Sequence, residues 1–517
     1  MKRFGYLTGI LLTVLVYQAS AQMSVDEFGK NRLQFKTFDW RYLSSENFDI
    51  YFYDGGNIIA KQAAQYLEDE FERITDLLGY SPYTKTRIFL YNSVSDLQQS
   101  NVGVNRSNFS VGGETDFVKP QVEIAYPGLM SDFKQELVFK ISQMLINDMM
   151  FGGSLGDMFQ SSYLLTLPEW YIDGAASYIA YGWDVKLDDY MRDHFINGKP
   201  KKLNKYLGED ARMIGQSVWN FIAERYGRTN IANILNLTRI IRKEDKSISN
   251  TLGISFQNFI EEWLTFYMDV SNYVLTSYAS PERNKIEVKN RRNYRYHKLK
   301  VSPDGRYLAY SRNYRGKYKV ILKDLQSRKS IDIMTGGYKV INQQIEYELP
   351  IMSWIDNENI AVITKKYGKN FLWFFNVNSR RRQKKELTRL SNIKDFDVSE
   401  SGNLAVMSAD LNGQSDIFLI SLRRNSIKRI TKDIYDDINP KFIPGSSSII
   451  FSSNRPSDTL KVERDINIED LEDVYNLFLY SIDTTRNLLF RVTNTLSRNY
   501  NPTPISDTEF YYISNQQ

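Results

Sequence analysis

Two stretches decide the fold of the N-terminal half of this chain: Lys134-Gln135-Glu136-Leu137-Val138-Phe139 and, further along, Leu167-Pro168-Glu169-Trp170-Tyr171-Ile172-Asp173-Gly174. The first lies within residues 133–149, where apolar side chains recur at helical spacing. On such a helix Gln135 and Phe139 lie one turn apart, beside Glu136. A second helix is predicted after Pro168, so the two stretches predict a pair of neighbouring helices.

The spacing of the first stretch is that of a zinc-binding helix. In His-Glu-x-x-His the two imidazoles lie on one face and the Glu between them acts as general base. Gln135 and Phe139 occupy the two imidazole positions here. An amide is a poor zinc ligand and a phenyl ring has no lone pair, so only the general-base position, Glu136, is kept. We therefore predict no metal site and no cofactor.

The segments around these helices predict a mixed sheet covered by helices, an α/β (α+β) fold. Residues 48–53 alternate like a strand, residues 60–78 have helical periodicity, and strands are predicted at 87–91 and 121–126. Residues 217–227 and 256–263 are predicted to belong to a helical subdomain.

Taken in order, these features resemble the peptidase MA family of gluzincins over residues 45 to 270. The resemblance implies a gluzincin-like domain with the three zinc-ligand positions on Gln135, Phe139 and Asp173, and the base on Glu136. Because two ligands are lost and the third is a short carboxylate, the expected protein is an inactive peptidase homologue and not an enzyme. Its former cleft is expected to bind a peptide segment. The binding residues would be Gln135, Glu136, Phe139, Trp170 and Asp173.

Three alternatives stay open at this stage. Glu136 and Asp173 could hold a calcium or magnesium ion or act as an acid/base pair, which would make the chain a zinc-independent hydrolase of peptide or glycan. The domain could be an unrelated α/β domain in which Glu136 makes a buried hydrogen bond and Asp173 braces its helix. The C-terminal half could also supply all of the function. The two histidines, His194 and His297, are not spaced as a ligand pair.

From about residue 295 the pattern changes to short strands separated by tight turns. Ser302-Pro303-Asp304-Gly305 is the clearest turn. The strand-turn-strand pattern recurs at 299–311, 353–362, 397–406, 439–453 and 501–512. A period of about 45 to 60 residues is typical of propeller blades with inserted loops.

These copies resemble the TolB-like family of β-propellers over residues 295 to 517. The resemblance implies a periplasmic binding platform more than a catalyst. The chain stops after one strand of the fifth copy, so we expect an incomplete propeller and a longer protein with further blades.

The N-terminus reads as a secretory signal at residues 1–21. Lys2 and Arg3 precede an apolar core from Tyr6 to Val16, and Ala19-Ser20-Ala21 is a typical cleavage site. An uncleaved anchor is the alternative. The chain has no cysteine, hence neither disulfides nor a lipidated cysteine. No later segment is apolar enough to span a bilayer, so attachment to a membrane would be peripheral at most.

Charge divides the mature chain into two parts. The net charge is about −8 for residues 22–280 and about +11 for residues 281–517. We therefore predict a signal peptide at 1–21, a degenerate gluzincin domain at 22–280 and four to five TolB-like blades at 281–517. Basic runs such as 380–385 fit solvated loops or an acidic partner, and export argues against nucleic acid. The expected protein is a periplasmic or otherwise exported scaffold, near the outer membrane, with protein or peptide partners in the cell envelope.

Overall fold

The computed structural model describes residues 34–100, 121–151, 167–197, 200–277, 294–339, 345–387, 390–424, 426–460, 467–483 and 488–516. The predicted signal peptide and the predicted domain boundary near residue 280 lie outside these ranges. A largely helical N-terminal region is followed by a series of antiparallel sheets. Within the described ranges, no helix has the length and apolar character needed to cross a bilayer.

The N-terminal region contains one four-stranded mixed sheet in the order β1-β2-β3-β4. Its strands are β1 (Arg41–Ser44), β2 (Phe48–Phe52), β3 (Thr86–Tyr91) and β4 (Gln121–Ala125). The pair β1/β2 is antiparallel, whereas β2/β3 and β3/β4 are parallel. A long helix, α1 (Asn57–Leu78), connects β2 with β3 and ends at Gly79, which adopts a left-handed conformation (φ 62°) that glycine accommodates without strain. The predicted mixed sheet is confirmed.

Eight further helices are described. They are α2 (Val94–Leu97), α3 (Met130–Phe151), α4 (Glu169–Tyr181), α5 (Val185–Asn197), α6 (Glu209–Tyr226), α7 (Thr229–Ile241), α8 (Glu244–Leu252) and α9 (Phe256–Ser277). Helix α3 packs against α1 and α4, and α4 packs against α6. Their apolar side chains form one core that includes fully buried Trp170, Trp219 and Phe133.

From Arg295 onward the chain forms consecutive antiparallel sheets. Four of them have four strands each: β5 to β8, β9 to β12, β13 to β16 and β17 to β20; a two-stranded sheet, β21/β22, follows. The strands are β5 (Arg295–Val301), β6 (Tyr307–Tyr314), β7 (Lys317–Asp324), β8 (Ser330–Gly336), β9 (Ile351–Trp354), β10 (Asn359–Lys366), β11 (Lys369–Asn376), β12 (Arg382–Leu387), β13 (Ser391–Val398), β14 (Leu404–Leu411), β15 (Gln414–Ser421), β16 (Ile427–Arg429), β17 (Asp437–Phe442), β18 (Ser448–Ser453), β19 (Asn476–Ser481), β20 (Leu489–Arg491), β21 (Asn499–Pro504) and β22 (Phe510–Ser514).

The first strand of each sheet lies beside the first strand of the next, from β5 through β9, β13 and β17 to β21. Apolar side chains fill the space between neighbouring sheets. Successive four-stranded sheets that meet along their first strands are arranged like the blades of a propeller. The five predicted strand-turn-strand copies coincide with the first hairpin of each sheet, so the predicted change of fold near residue 295 is confirmed.

The helical region packs directly on the sheets. Ile468 and Leu471, which lie between β18 and β19, are buried in the same core as helices α1 and α3. On the other side, Gly413 in the β14/β15 turn approaches Ile59 of α1 so closely that an added Cβ would lie 2.6 Å from its Cγ2. The two parts therefore share a well-packed boundary.

Candidate functional site

Helix α3 carries three of the predicted site residues, and the structure buries one of them. Phe139 is only 5% exposed. The Arg212 guanidinium of α6 lies 5.1 Å from the centroid of its ring, and the ring of Tyr181 on α4 lies 6.4 Å away. The position of a zinc ligand in the family pattern is thus occupied by an aromatic ring packed between three helices.

The two carboxylates of the predicted site are engaged within the domain. Glu136 faces the Lys140 ammonium at 4.0 Å, one turn along α3. Asp173 accepts a hydrogen bond of 2.6 Å from the Gln143 amide of α3. Burial raises the pKa of Asp173, and the hydrogen bond from Gln143 opposes that rise. The Asp173 contact joins α3 to α4 and matches the alternative in which Asp173 braces its helix. The Glu136 contact lies within α3 and is an ion pair, not the buried hydrogen bond of that alternative.

The remaining predicted residues separate. Trp170 is fully buried, and its indole N–H donates to Asn204 Oδ1 at 2.7 Å, in the turn before α6. Gln135 is half-buried on α3. The structure therefore places Glu136, Phe139 and Asp173 around the contact of α3 with α4, whereas the Trp170 indole is buried in the core.

The N-terminus of α3 is held by the sheets. Both carboxylate oxygens of Asp436, which precedes β17, accept from the backbone N–H groups of Met130 (2.7 Å) and Ser131 (2.8 Å). The hydroxyls of Ser131 and Tyr475 lie 2.8 Å apart, and the Lys134 ammonium donates to the Glu469 carbonyl at 2.9 Å. Burial raises the pKa of Asp436 to about 6. An aspartate from one domain thus caps a helix of the other.

Three buried aspartates near this junction could hold a metal ion on distance alone. One oxygen from each of Asp416, Asp433 and Asp437 lies within 4.8 Å of the others. Arginines occupy the positions a cation would take: Arg455 binds both oxygens of Asp437 at 2.8 and 2.9 Å, and Arg429 binds Asp416. This cluster is an ion-pair network between neighbouring sheets.

The first strands of the five sheets, β5, β9, β13, β17 and β21, are called the inner strands here. Their C-terminal ends enclose a cavity of about 680 Å³. Asp436 and Asn392, which contact the helical domain, lie at or before the starts of β17 and β13, whereas Lys441 and Asp397 at the ends of these strands line the cavity. The cavity therefore opens on the side of the sheets that faces away from the helical domain. Its volume lies in the range of ligand pockets.

Charged side chains lie at the base of this cavity. The Lys441 ammonium is 3.5 Å from Asp395, and Asp397 accepts from the Ser353 hydroxyl at 2.7 Å and from the Phe442 N–H at 3.0 Å. Lys441 remains protonated because Asp395 and Asp397 raise its pKa and outweigh its burial.

The sequence reasoning did not identify Asp436, Lys441 or Lys300 as site residues. Lys300 was visible as a charged residue in the otherwise apolar run Leu299-Lys300-Val301 before the Ser-Pro-Asp-Gly turn. An ionisable side chain on an inner strand was the available signal. No sequence signal marked Asp436, because its partner Met130 lies 306 positions earlier in the chain.

No model of a known protein family matches the chain, and no curated protein matches it. Among solved structures, TolB from Acinetobacter baumannii is 18% identical with a TM-score of 0.31, covering 40% of this chain and 46% of that chain. The tricorn protease is 15% identical with a TM-score of 0.30, covering 44% and 20% respectively. The β-propeller domain of the Trilobed protease from Pyrococcus furiosus is 13% identical with a TM-score of 0.27, covering 42% and 63%. The chain thus spans less than half of the TolB and tricorn chains, and likenesses of this size carry no inference about function.

Proposed function

We propose that this chain is a non-catalytic binding scaffold of the cell envelope, built from a degenerate gluzincin-like domain docked on TolB-like propeller blades. The observation that carries the proposal is the set of contacts that helix α3 makes. In the family pattern this helix carries two zinc ligands and the general base. Here its N-terminus is capped by Asp436, its Lys134 binds the Glu469 carbonyl, and Phe139 is packed under Arg212.

Such a helix supports a joint between two domains. The helical region is fixed on one side of the sheets by the Asp436 cap, by the Ser131 contact and by the shared apolar core. The cavity on the other side of the sheets is therefore accessible to a partner. Binding to a preformed surface of this kind costs little conformational entropy.

The second candidate is the zinc-independent hydrolase with Glu136 and Asp173. Its support is the raised pKa of Asp173, because general acids are often buried carboxyl groups. The hydrogen bond from Gln143 and the contact with Lys140 are the features that favour the scaffold instead.

One comparison tests the two candidates. Purified mature chain and its Glu136→Gln variant are incubated with casein and with peptidoglycan, and photo-crosslinking in the native envelope is recorded from a probe at the exposed Ser401 on the rim of the cavity. The scaffold predicts no turnover and the same crosslinked partners for both proteins. Turnover that falls by about 100-fold or more in Glu136→Gln would establish the hydrolase instead.

A further inference from the structure

The cavity at the ends of the inner strands contains a lysine whose charge is not balanced by a close carboxylate. Lys300, near the end of β5, lines the cavity. Two neighbouring lysines have partners: Lys298 lies 3.1 Å from Glu348 and Lys441 lies 3.5 Å from Asp395. Among the described residues, no carboxylate lies within ion-pair distance of the Lys300 ammonium.

Three carboxylates line the cavity with Lys300: Glu400 and Asp483 lie on its rim, and Asp397 is already engaged in hydrogen bonds. Asp397 accepts hydrogen bonds from the Ser353 hydroxyl and the Phe442 N–H. Lys441 acts on Lys300 as a like charge and lowers the pKa of Lys300, and burial lowers it further; Asp395 and Asp397 oppose this shift without cancelling it. An anion placed beside Lys300 would relieve this repulsion and would be held in a partly desolvated site, where charge-assisted hydrogen bonds are strongest.

The walls of the cavity combine polar and apolar side chains. Trp354, Ile355, Phe442 and Ile443 line it together with Lys300, and the Trp354 indole N–H donates a hydrogen bond of 3.1 Å to the Lys300 carbonyl. An inorganic anion would use the ammonium but none of these side chains. A ligand with an apolar body and an anionic end uses both.

A chain end fits this cavity more simply than a loop. Lys298 and Asp395 lie two residues before Lys300 and Asp397 on strands β5 and β13 and, unlike those two residues, do not line the cavity. A loop must enter and return through the same opening, whereas a terminal segment enters once. Glu400 and Asp483 on the rim disfavour further acidic residues along the entering chain.

We infer that this cavity binds the C-terminal residues of a partner polypeptide, with the terminal carboxylate on Lys300 and apolar side chains against Trp354 and Phe442. The inference rests on the proposed function, since it names the chemistry that a scaffold would recognise on its partner. Capture of a C-terminal carboxylate is an established mode of peptide recognition.

The test uses a mixture of random pentapeptides in two forms, with a free C-terminal carboxylate or with a C-terminal amide. Each mixture is passed over immobilised mature chain, and the retained peptides are quantified by mass spectrometry. We expect the free acids to be retained about 10-fold or more above the amides, because one hydrogen bond to a charged group contributes roughly 1.5 to 3 kcal/mol. Lys300→Gln should remove this preference, whereas Lys300→Arg and the exposed control Lys317→Gln should keep it.

Equal retention of the two forms would overturn the inference, and so would retention no higher than on bare resin. Selective retention of amidated peptides with internal Asp or Glu would also overturn it, because the ligand would then be an acidic side chain. The comparison of acids with amides on the unmodified chain stands even if Lys300→Gln fails to fold. Failure of the proposed function is seen separately, as shortened peptides whose formation depends on Glu136.

Discussion

Gly215 of α6 lies where the backbones of α4 and α6 approach each other most closely. A Cβ added to Gly215 would lie 1.9 Å from the Trp170 carbonyl oxygen, and one added to Gly174 would lie 2.4 Å from the Gly215 backbone. Both obstacles are backbone atoms and cannot rotate away. The contact of α4 with α6, which places Asp173 and Arg212, therefore depends on two residues that lack a side chain.

We predict that Gly215→Ala destabilises the protein by about 3 kcal/mol or more, because α4 and α6 must move apart, and overpacking of a core costs at least 1 to 3 kcal/mol. Urea unfolding measures the change. Asn233→Ala, on the exposed side of α7, is the control and should shift the free energy of unfolding by less than about 0.5 kcal/mol. A Gly215→Ala protein as stable as the control would show that the helices do not cross this closely.

Asp410 supplies a prediction about pH. It is 2% exposed, and among the described residues no donor reaches its Oδ1. Burial raises its pKa from 3.8 to about 7. Because the folded-state pKa lies above the unfolded one, the folded protein binds more protons, and stability is lost as the pH rises from about 4 to about 7.

Asp410→Asn removes this buried charge and keeps an oxygen for the hydrogen bonds from Ser391 and Asn392. We expect the variant to be more stable than the unmodified protein at pH 8, by on the order of 2 kcal/mol, with the advantage shrinking towards pH 5. Urea unfolding of both proteins at several pH values measures the difference. Asp189→Asn, an exposed carboxylate, should show no such trend, and a variant less stable at every pH would contradict the assignment.

At the scale of elements, the first turn of α3 depends on a residue from the other domain. Asp436→Ala leaves the N–H groups of Met130 and Ser131 without their acceptor at a buried junction. We predict a loss of about 2 to 3 kcal/mol, from a lost cap and two unsatisfied donors. Hydrogen exchange should accelerate first at the start of α3.

Two variants make this prediction specific. Asp436→Asn keeps one acceptor and should have an intermediate effect. Asp132→Ala removes an exposed acid from the same turn of α3 and should change stability by no more than about 1 kcal/mol. Equal effects of Asp436→Ala and Asp132→Ala would mean that the turn is stabilised by the helix dipole and not by the cap.

At the scale of the whole molecule, the shared core and the Asp436 cap should make the two domains unfold together. We predict one calorimetric transition for the unmodified protein and two for the double variant Asp436→Ala/Lys134→Ala, which loses the Asp436 cap and the Lys134 contacts of α3 with the sheets. Arg295→Ala breaks a cross-domain ion pair with Glu209 in which both side chains are about half exposed, so it should leave the single transition intact. Two transitions in the unmodified protein would contradict this coupling.

The local elements of this protein were predictable from the order of its residues. The apolar periodicity of residues 133–149 predicted α3, Pro168 marked the start of α4, and Ser302-Pro303-Asp304-Gly305 marked the first hairpin of the sheets. These features depend on neighbours within a few positions, and helix, strand and turn preferences act at that range. The chemistry of Gln135 and Phe139 as poor zinc ligands was equally readable, because it belongs to the side chains themselves.

Which side chains meet became visible only in the folded molecule. The burial of Phe139 beneath Arg212, the capping of α3 by Asp436 and the unbalanced charge of Lys300 each depend on residues far apart in the chain. A sequence pattern reports spacing along an element, whereas burial and charge balance are set by every element that packs against it. For this reason α3 was predictable as a helix, but its contacts with the sheets were not.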